Sequence, residues 1–516
     1  MTTIQYQPRD KSHKRHLAPQ AECCENQLIF PNLPAMSDNT TETFDVLVIG
    51  SGISGINAAY HLQTELPQCR FAVLEARDSI GGTWDLFRYP GIRSDSDLYT
   101  FGFTWHKWNR SNPIAEGGDI LEYLDDAITS HRLKDRILFN HRVLSVEWHQ
   151  ESWTVKVQTK ERDFHYRTRF LIFGTGYYDY QQPLTTEIPG LNNFQGQIIH
   201  PQFWPEDLDY TNKKITVIGS GATAVTLVPK LAELAERVTM LQRSPTYIAA
   251  VPNPVENKWW TRLLPKSCVY YLRRTWRIIF GQALFKFCRT FPGAARSLFE
   301  RGTLKQLPLG TPLDPHFKPR YNPWEQRLCA SPDGDFFKAL GSRKAAIETG
   351  TIETVDERGI QLTSCRRLDA DLIVTATGLR LQMCGGISIY VDGERQDLSR
   401  KYVWNGLMLQ DLPNAVLLLG YVNASWTLGA DAGMHLTCRV LKYLERNGHK
   451  AAIPDFAESG QVNRVPLLDL NSTYLTRAQE SLPKATQHRP WVSRTNYVSD
   501  MYYARFGGLS AGLRFV

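Results

Sequence analysis

The segment FDVLVIGSGISG, residues 44–55, decides the fold. Phe44 to Ile49 is an unbroken apolar run of strand length, the pattern of a strand covered on both faces in a parallel sheet. It ends in Gly50-Ser51-Gly52-Ile53-Ser54-Gly55, and from Ile53 to Leu66 the apolar positions recur at helical spacing. A second short strand, residues 71–74, stops at Glu75. Strand, glycine turn, helix, strand and acid make a complete βαβ unit for a dinucleotide. Gly50 makes the tight turn, Gly52 lets backbone approach a pyrophosphate, and Gly55 permits close helix–strand packing. The helix N-terminus, with Ser54 in its first turn, faces the phosphates, and Glu75 is placed to accept hydrogen bonds from a ribose diol.

The pattern recurs. Lys214 to Ile218 leads into Gly219-Ser220-Gly221-Ala222-Thr223-Ala224, a helical stretch over 225–234 beginning at Val225, and a strand over 238–241. No acid follows this second strand. Arg243 and Ser244 stand there instead, where a guanidinium and a hydroxyl suit a 2′-phosphate, so NADPH is expected over NADH. The plainer reading of Arg243 is a solvated charge at a strand end. Two units imply two cofactors, one passing electrons to the other. The strand-plus-glycine segments at 170–176 and 371–378 bracket the second unit, as expected where the chain leaves one domain and returns to it. The expected fold class is therefore α/β, with two Rossmann-like dinucleotide-binding domains, the second inserted in the first. The first spans 44–176 and 379–516; the second spans 177–378 and carries a helical subdomain at about 252–330.

Composition sets the outer bounds. At ~150 residues per domain, 516 residues make about three units, and 42% hydrophobic with 22% charged residues is globular usage. No apolar run approaches the ~20 residues of a membrane span. Nine cysteines without a CxxC pair disfavour zinc sites and dithiol centres, so no metal is expected, and they suit a reducing cytoplasm. The net charge of +7 is local: residues 257–299 hold nine basic residues and no acidic one. A nucleic-acid partner is therefore not expected. This basic stretch is aromatic and helical in pattern over 263–291, with Trp259, Trp260, Trp276, Ile278, Ile279 and Phe280. Peripheral contact with a membrane through 257–299 is one expectation; a helical subdomain with a solvated basic face, or one that draws in anionic NADPH, is the other. Residues 1–43, with no glycine and four prolines, are expected to be a disordered extension. Gly508-Leu509-Ser510-Ala511-Gly512 fits the hydrolase elbow GxSxG but leaves no room for a following helix or later triad partners. His200, alone, is expected to be structural.

Two longer strings carry more. GGTWDLFRYPGIRSD, residues 81–95, fills every specified position of the signature [A/G]GxWxxxx[F/Y]P[G/M]xxxD, and FQGQIIHPQFWP, residues 194–205, fills FxGxxxHxxxWP. With these strings the chain resembles the type I Baeyer–Villiger monooxygenases. GSGATAVTLVP, LQRSPTY, YNPWEQRLC and NASWTL bring it closest to the mycobacterial ethionamide-activating subgroup, from about residue 44 onward.

The resemblance implies an NADPH-dependent FAD monooxygenase that uses O₂ to convert ketones to esters or lactones, with sulfoxidation as a further activity. FAD would lie on Gly50, Gly52, Ser54, Gly55 and Glu75, then along Gly82, Thr83, Trp84, Asp85 and Leu86, with Val143 giving backbone contacts to adenine. NADPH would use Gly219 to Val225, Arg243 and Ser244, with Arg93, Ser94 and Asp95 at the nicotinamide end. The family's chemistry runs through a C4a-peroxyflavin that must stay anionic. A guanidinium suits that demand because its pKa above ~12 keeps it charged. Arg327 resembles the catalytic arginine, and Asp95 would orient it. On spacing alone, the plainer reading of Arg327 is a surface ion pair with Glu325 or Asp333.

Two other functions remain open to these residues. A flavin-containing N- or S-monooxygenase shares both nucleotide units but needs no stabilised anion, whereas Asp95, Arg327 and Trp204-Pro205 favour the ketone-oxidising class. A non-oxygenating flavin/NADPH redox sensor would consume NADPH without oxidising a substrate. Asn423, Trp426 and the stretch near Trp491 are expected on the substrate wall, while the substrate itself and the oligomeric state are not legible. Met36, followed by a short polar stretch and then the first strand, offers one hypothesis for the translation start, and whether residues 1–35 are translated is not legible. Mass spectrometry of the natively expressed protein should then find an N-terminus at residue 36 or 37, and peptides from residues 1–35 would refute it.

Overall fold

The computed structural model describes residues 41–253, 263–456 and 463–516. The expected extension up to residue 40, the start at Met36, and Trp259 and Trp260 lie outside the described residues. The first strand runs Glu42–Ile49, two residues longer than the apolar pattern, because Glu42 and Thr43 ladder against Tyr166 and Arg167. Residues 42 and 43 thus belong to the sheet, a correction to the expected extension of 1–43.

Val46, Leu47 and Val48 are at most 1% exposed, as the continuous apolar run requires of a strand covered on both faces. The strand pairs in parallel with Phe71–Leu74 and with Asp163–Phe173. Ile137–Leu138 and Ala415–Leu417 extend this parallel centre on its two sides. Ser152–Gln158 and Arg142–His149 add antiparallel strands. Among the described residues this sheet has eleven strands. The helix Ile53–Glu65 packs on it closely: a Cβ on Gly55 would sit 1.8 Å from the Gly50 carbonyl oxygen. Only glycine fits there.

A second sheet has five parallel strands, in the order Ala345–Thr349, Arg237–Gln242, Lys214–Ile218, Leu372–Thr375 and Gln197–Ile199. The chain leaves the first sheet after Phe173 and rejoins it at Ser388–Val391. The helix after the second glycine turn is Ala222–Leu231, three residues earlier at each end than the apolar spacing indicates. It starts at the turn itself, with Gly221 as N-cap, and Ala224 packs fully buried where the first unit has glycine. Gly219 has φ +139°, and a Cβ there would meet the Ala376 carbonyl oxygen at 2.1 Å.

The basic stretch forms two helices, Lys266–Thr290 and Pro292–Leu304. Pro292 ends the first, since it lacks an N–H, and occupies the first turn of the second, where none is needed. Strands Ile248–Val251 and Cys329–Pro332 pair in parallel, so the chain returns beside the point where this excursion began.

The long helix Trp426–Asn447 ties the C-terminal region to the first nucleotide helix through a buried charge cluster. His61 Nε2 lies 2.9 Å from Asp431 Oδ1 and its Nδ1 lies 3.0 Å from Glu65 Oε1. Lys442 and His435 complete the cluster around Glu65, at 2.9 and 3.3 Å. Burial opposes a charge on His61, but the hydrogen bonds to Asp431 and Glu65 outweigh it and push the imidazolium up to about 9. The same contacts hold both carboxyls below their ordinary range, against their own burial.

A raised histidine pKa contributes stability that is complete below the unfolded value and lost as pH climbs through the folded one. The melting temperature should therefore fall between pH 6.5 and about 9, by the equivalent of roughly 3 kcal/mol at most. His61→Gln should abolish that slope in a pH series of thermal melts; an unchanged slope would assign it to other groups.

Candidate functional site

Both glycine turns end at one cavity, at the C-terminal ends of their parallel strands, where open α/β sheets bind ligands. Gly52, Ile53 and Ser54 line it from the first turn, and Ala222, Thr223 and Thr226 from the second. The segment after the first βαβ unit supplies Thr83, Trp84, Arg93, Ser94 and Asp95, and Arg327 closes the wall. Gly52, Gly81, Gly174 and Gly176 leave part of the lining bare of side chains, a surface on which a dinucleotide backbone can rest.

Arg327 Nη1 lies 3.0 Å from Asp95 Oδ2. Both side chains keep about a third of their exposure, 39% and 35%, because they face the cavity. The Asp95 carboxylate raises the Arg327 pKa further above its already high ordinary value, so the guanidinium stays charged at any attainable pH. The ion pairs with Glu325 or Asp333 that spacing allowed do not form: Glu325 bonds Asn322, and Asp333 accepts from Asn253 N–H.

Other expected residues take distinct places. Ser54 Oγ donates to the Leu418 carbonyl and accepts from Trp426 Nε1 at 2.8 Å, fixing that indole on the cavity wall. Gly82, with φ +56°, caps the short helix Thr83–Leu86, and Thr83 Oγ1 lies 2.9 Å from the Tyr180 hydroxyl. Trp84 meets Phe101 edge to face. Ser94 is buried and its N–H bonds the Ala115 carbonyl. Arg93 lines the cavity but pairs with Asp335, which holds it at the wall.

Several expected residues stand outside the cavity lining. Glu75 Oε2 accepts from Ser51 N–H and hydroxyl at 2.7 and 2.9 Å, and Oε1 from Arg77 N–H. Asp85 is held between Arg77 and Arg88, and Leu86 packs into the apolar core beside it. Val143 is buried at a register shift of the strand Arg142–His149. Ser220 Oγ donates to the Ser244 carbonyl, and Arg243 is exposed and donates to Thr473 Oγ1 at 3.1 Å. Of the expected wall residues, Trp426 lines the cavity, whereas Asn423 bonds the Thr495 carbonyl and Trp491 packs into the core. His200 accepts from Gln202 N–H at a helical turn. Ser510 lies between the helix Tyr497–Phe506 and the strand Leu513–Phe515, with no helix after it.

Sequence reading missed the tyrosines. Tyr177, Tyr178 and Tyr180 line the cavity, with Tyr177 and Tyr178 hydroxyls 3.0 Å apart. Burial drives the Tyr178 hydroxyl well above its usual range and pushes Tyr474 up to about 12. The signal was present in the run YYDY directly after the strand-plus-glycine segment FLIFGTG. Side chains just past a parallel strand's C-terminal end are the ones a ligand meets.

Residues 47–257 match the pyridine nucleotide-disulphide oxidoreductase family model. The described cysteines are all free, so the shared feature is the nucleotide-binding architecture. The FAD-containing monooxygenase EthA of Mycolicibacterium smegmatis is 45% identical over 471 residues, covering 90% of this chain and 95% of that protein. Among solved structures, an oxidized steroid monooxygenase bound to NADP aligns with a TM-score of 0.73 at 21% identity, over 92% of this chain and 99% of that one. An open structure of cyclohexanone monooxygenase aligns at 0.71 and 20% identity, over 92% and 100%. The chain belongs to the FAD-containing monooxygenases and has the fold of their Baeyer–Villiger members.

Proposed function

We propose that this enzyme uses NADPH and O₂ to insert one oxygen atom beside a ketone carbonyl, giving esters or lactones, with Arg327 as the catalytic cation and Asp95 as its orienting partner. The observation that carries this reading is the Arg327–Asp95 pair on the wall of a cavity lined by both glycine turns. The domains are read as FAD-binding over 44–176 and 379–516 and NADP-binding over 177–378.

The residues fit both cofactors. The side-chain-free lining and the close packing at Gly55 suit a dinucleotide at the first turn, and Arg243 follows the second unit, where a 2′-phosphate would lie. FAD and NADPH, when bound, supply hydride transfer and oxygen activation. The protein supplies charge, orientation and dryness. Arg327 stabilises negative charge developing on the reacting oxygens, and Asp95 prevents it from turning away. Tyr178 and Tyr474 stay protonated at neutral pH and so bring no competing anion near Arg327. Trp84, Phe87, Phe101 and Trp426 make an apolar wall suited to the alkyl part of a ketone or sulfide.

A preorganised cation at a developing oxyanion contributes ~3–4 kcal/mol, so Arg327→Ala should lower ester formation by at least ~10²-fold. The variant should stay yellow and be reduced by NADPH, releasing H₂O₂ instead of ester. Unchanged ester formation, read by gas chromatography, would sink the assignment. Arg243→Ala should raise KM for NADPH by roughly tenfold, the loss of one charge-assisted pair, with little effect on NADH. Equal effects on the two nucleotides in initial-rate assays would remove Arg243 from the 2′-phosphate.

A further inference from the structure

We propose that the helix Lys266–Thr290 docks the enzyme on an anionic phospholipid surface through a stripe of apolar side chains on its outer face. One face of this helix is already used. Tyr270, Arg274 and Cys288 are buried, and Arg274 donates to the Tyr99 and Gly102 carbonyls. The opposite face carries Leu272, Trp276, Ile279 and Phe280, each 54–65% exposed. Their spacing of four, three and then one residue, extended through Ala283, places them in a single row along the helix. Leu263 and Phe291, at 72% and 58%, extend the apolar surface beyond the helix at either end. A contiguous exposed row of this size marks a contact surface rather than scattered surface residues.

Charge selects the occupant. Residues 257–299 contain nine basic side chains and no carboxylate. Arg277 and Arg289 reach Asp97 and Asp469, at 3.7 and 3.3 Å, which offsets part of that charge. Lys266 and Lys286 are exposed near the two ends of the helix. A second copy of this chain would present the same apolar row with the same excess of positive charge at Lys266 and Lys286, and the two faces would repel. An anionic lipid surface offers both an apolar interior for Trp276, Ile279 and Phe280 and phosphates for the cations. Among the described residues no helix is long and apolar enough to cross a membrane, so the contact lies in the plane of the surface.

The docked face backs onto the cavity wall. Phe285 packs edge to face on Trp324, three residues before Arg327, and Arg274 holds the segment around Phe101, which lines the cavity. Docking therefore leaves one helix, ~10 Å across, between the lipid and the segments that carry Phe101 and Arg327.

The test is co-sedimentation of the full-length chain with vesicles of phosphatidylcholine alone and of equal parts phosphatidylcholine and phosphatidylglycerol. Binding is expected to the anionic vesicles, with the bound fraction falling as salt rises, and not to phosphatidylcholine alone. The double variant Trp276→Glu/Ile279→Glu should lower the partition coefficient at least about tenfold, as should Lys266→Glu/Lys286→Glu. Both change exposed side chains, and thermal melts matching the native protein would establish that they fold. No binding to anionic vesicles, equal binding to both vesicle types, or binding unchanged in both variants would overturn the proposal. So would a dimer, seen by light scattering without vesicles, that the Trp276→Glu/Ile279→Glu variant dissolves.

Discussion

The site turns on one ion pair between residues far apart in the chain. Arg327 reaches the cavity from the segment that closes the helical excursion, and Asp95 from the segment that follows the first nucleotide unit. Each keeps about a third of its exposure, so each alone would face competing water. Together they fix a cation in direction as well as in charge. The surrounding tyrosines are consistent with this arrangement. Burial holds the hydroxyls of Tyr178, Tyr180 and Tyr474 above their usual range and so protonated, and nothing on the described lining except Asp95 offers Arg327 a full negative charge nearby.

The placement of that pair follows from the packing of the two sheets. The parallel strands that lead into the two glycine turns bury their apolar runs, and those turns deliver bare backbone to one cavity. The first turn needs Gly55 against Gly50, whereas the second carries Ala224 at that position and is tightest at Gly219 against Ala376. The same motif is thus satisfied by two slightly different contacts. The His61–Asp431 cluster fastens the first nucleotide helix to the helix carrying Trp426 at its start, so the wall indole and the first turn are held in a single frame.

Much of this was legible in the sequence, and the exceptions have physical reasons. Strands buried on both faces announce themselves as unbroken apolar runs, and glycine turns by their spacing, so residues 44–75 and 214–241 read almost as they fold. Helix ends were less legible: apolar periodicity started the second helix at Val225, whereas the turn itself starts it at Ala222. The partner of Arg327 could not be read from spacing, which offered Glu325 and Asp333. The family signature named Asp95, and only tertiary packing could bring it within 3.0 Å. Arg93 was legible as a cavity residue but not as the partner of Asp335. The tyrosine wall carries no period and no charge pattern, and polar or aromatic residues such as Asn423 and Trp491 pack inward just as readily as they line a site.

The parallel pairing of Ile248–Val251 with Cys329–Pro332 clasps the two ends of the helical excursion together. Because entry and exit are clasped side by side, additions or deletions between them are absorbed locally, at only ~0.6 kcal/mol for each doubling of length if the added chain is unstructured. Arg327 sits two positions before the closing strand, so the clasp fixes it from one side while Phe285 of the excursion, packed on Trp324, fixes its segment from the other. Length or charge can therefore change in the outward-facing parts of the excursion, away from the Phe285–Trp324 and Arg274 contacts, while Arg327 keeps its address.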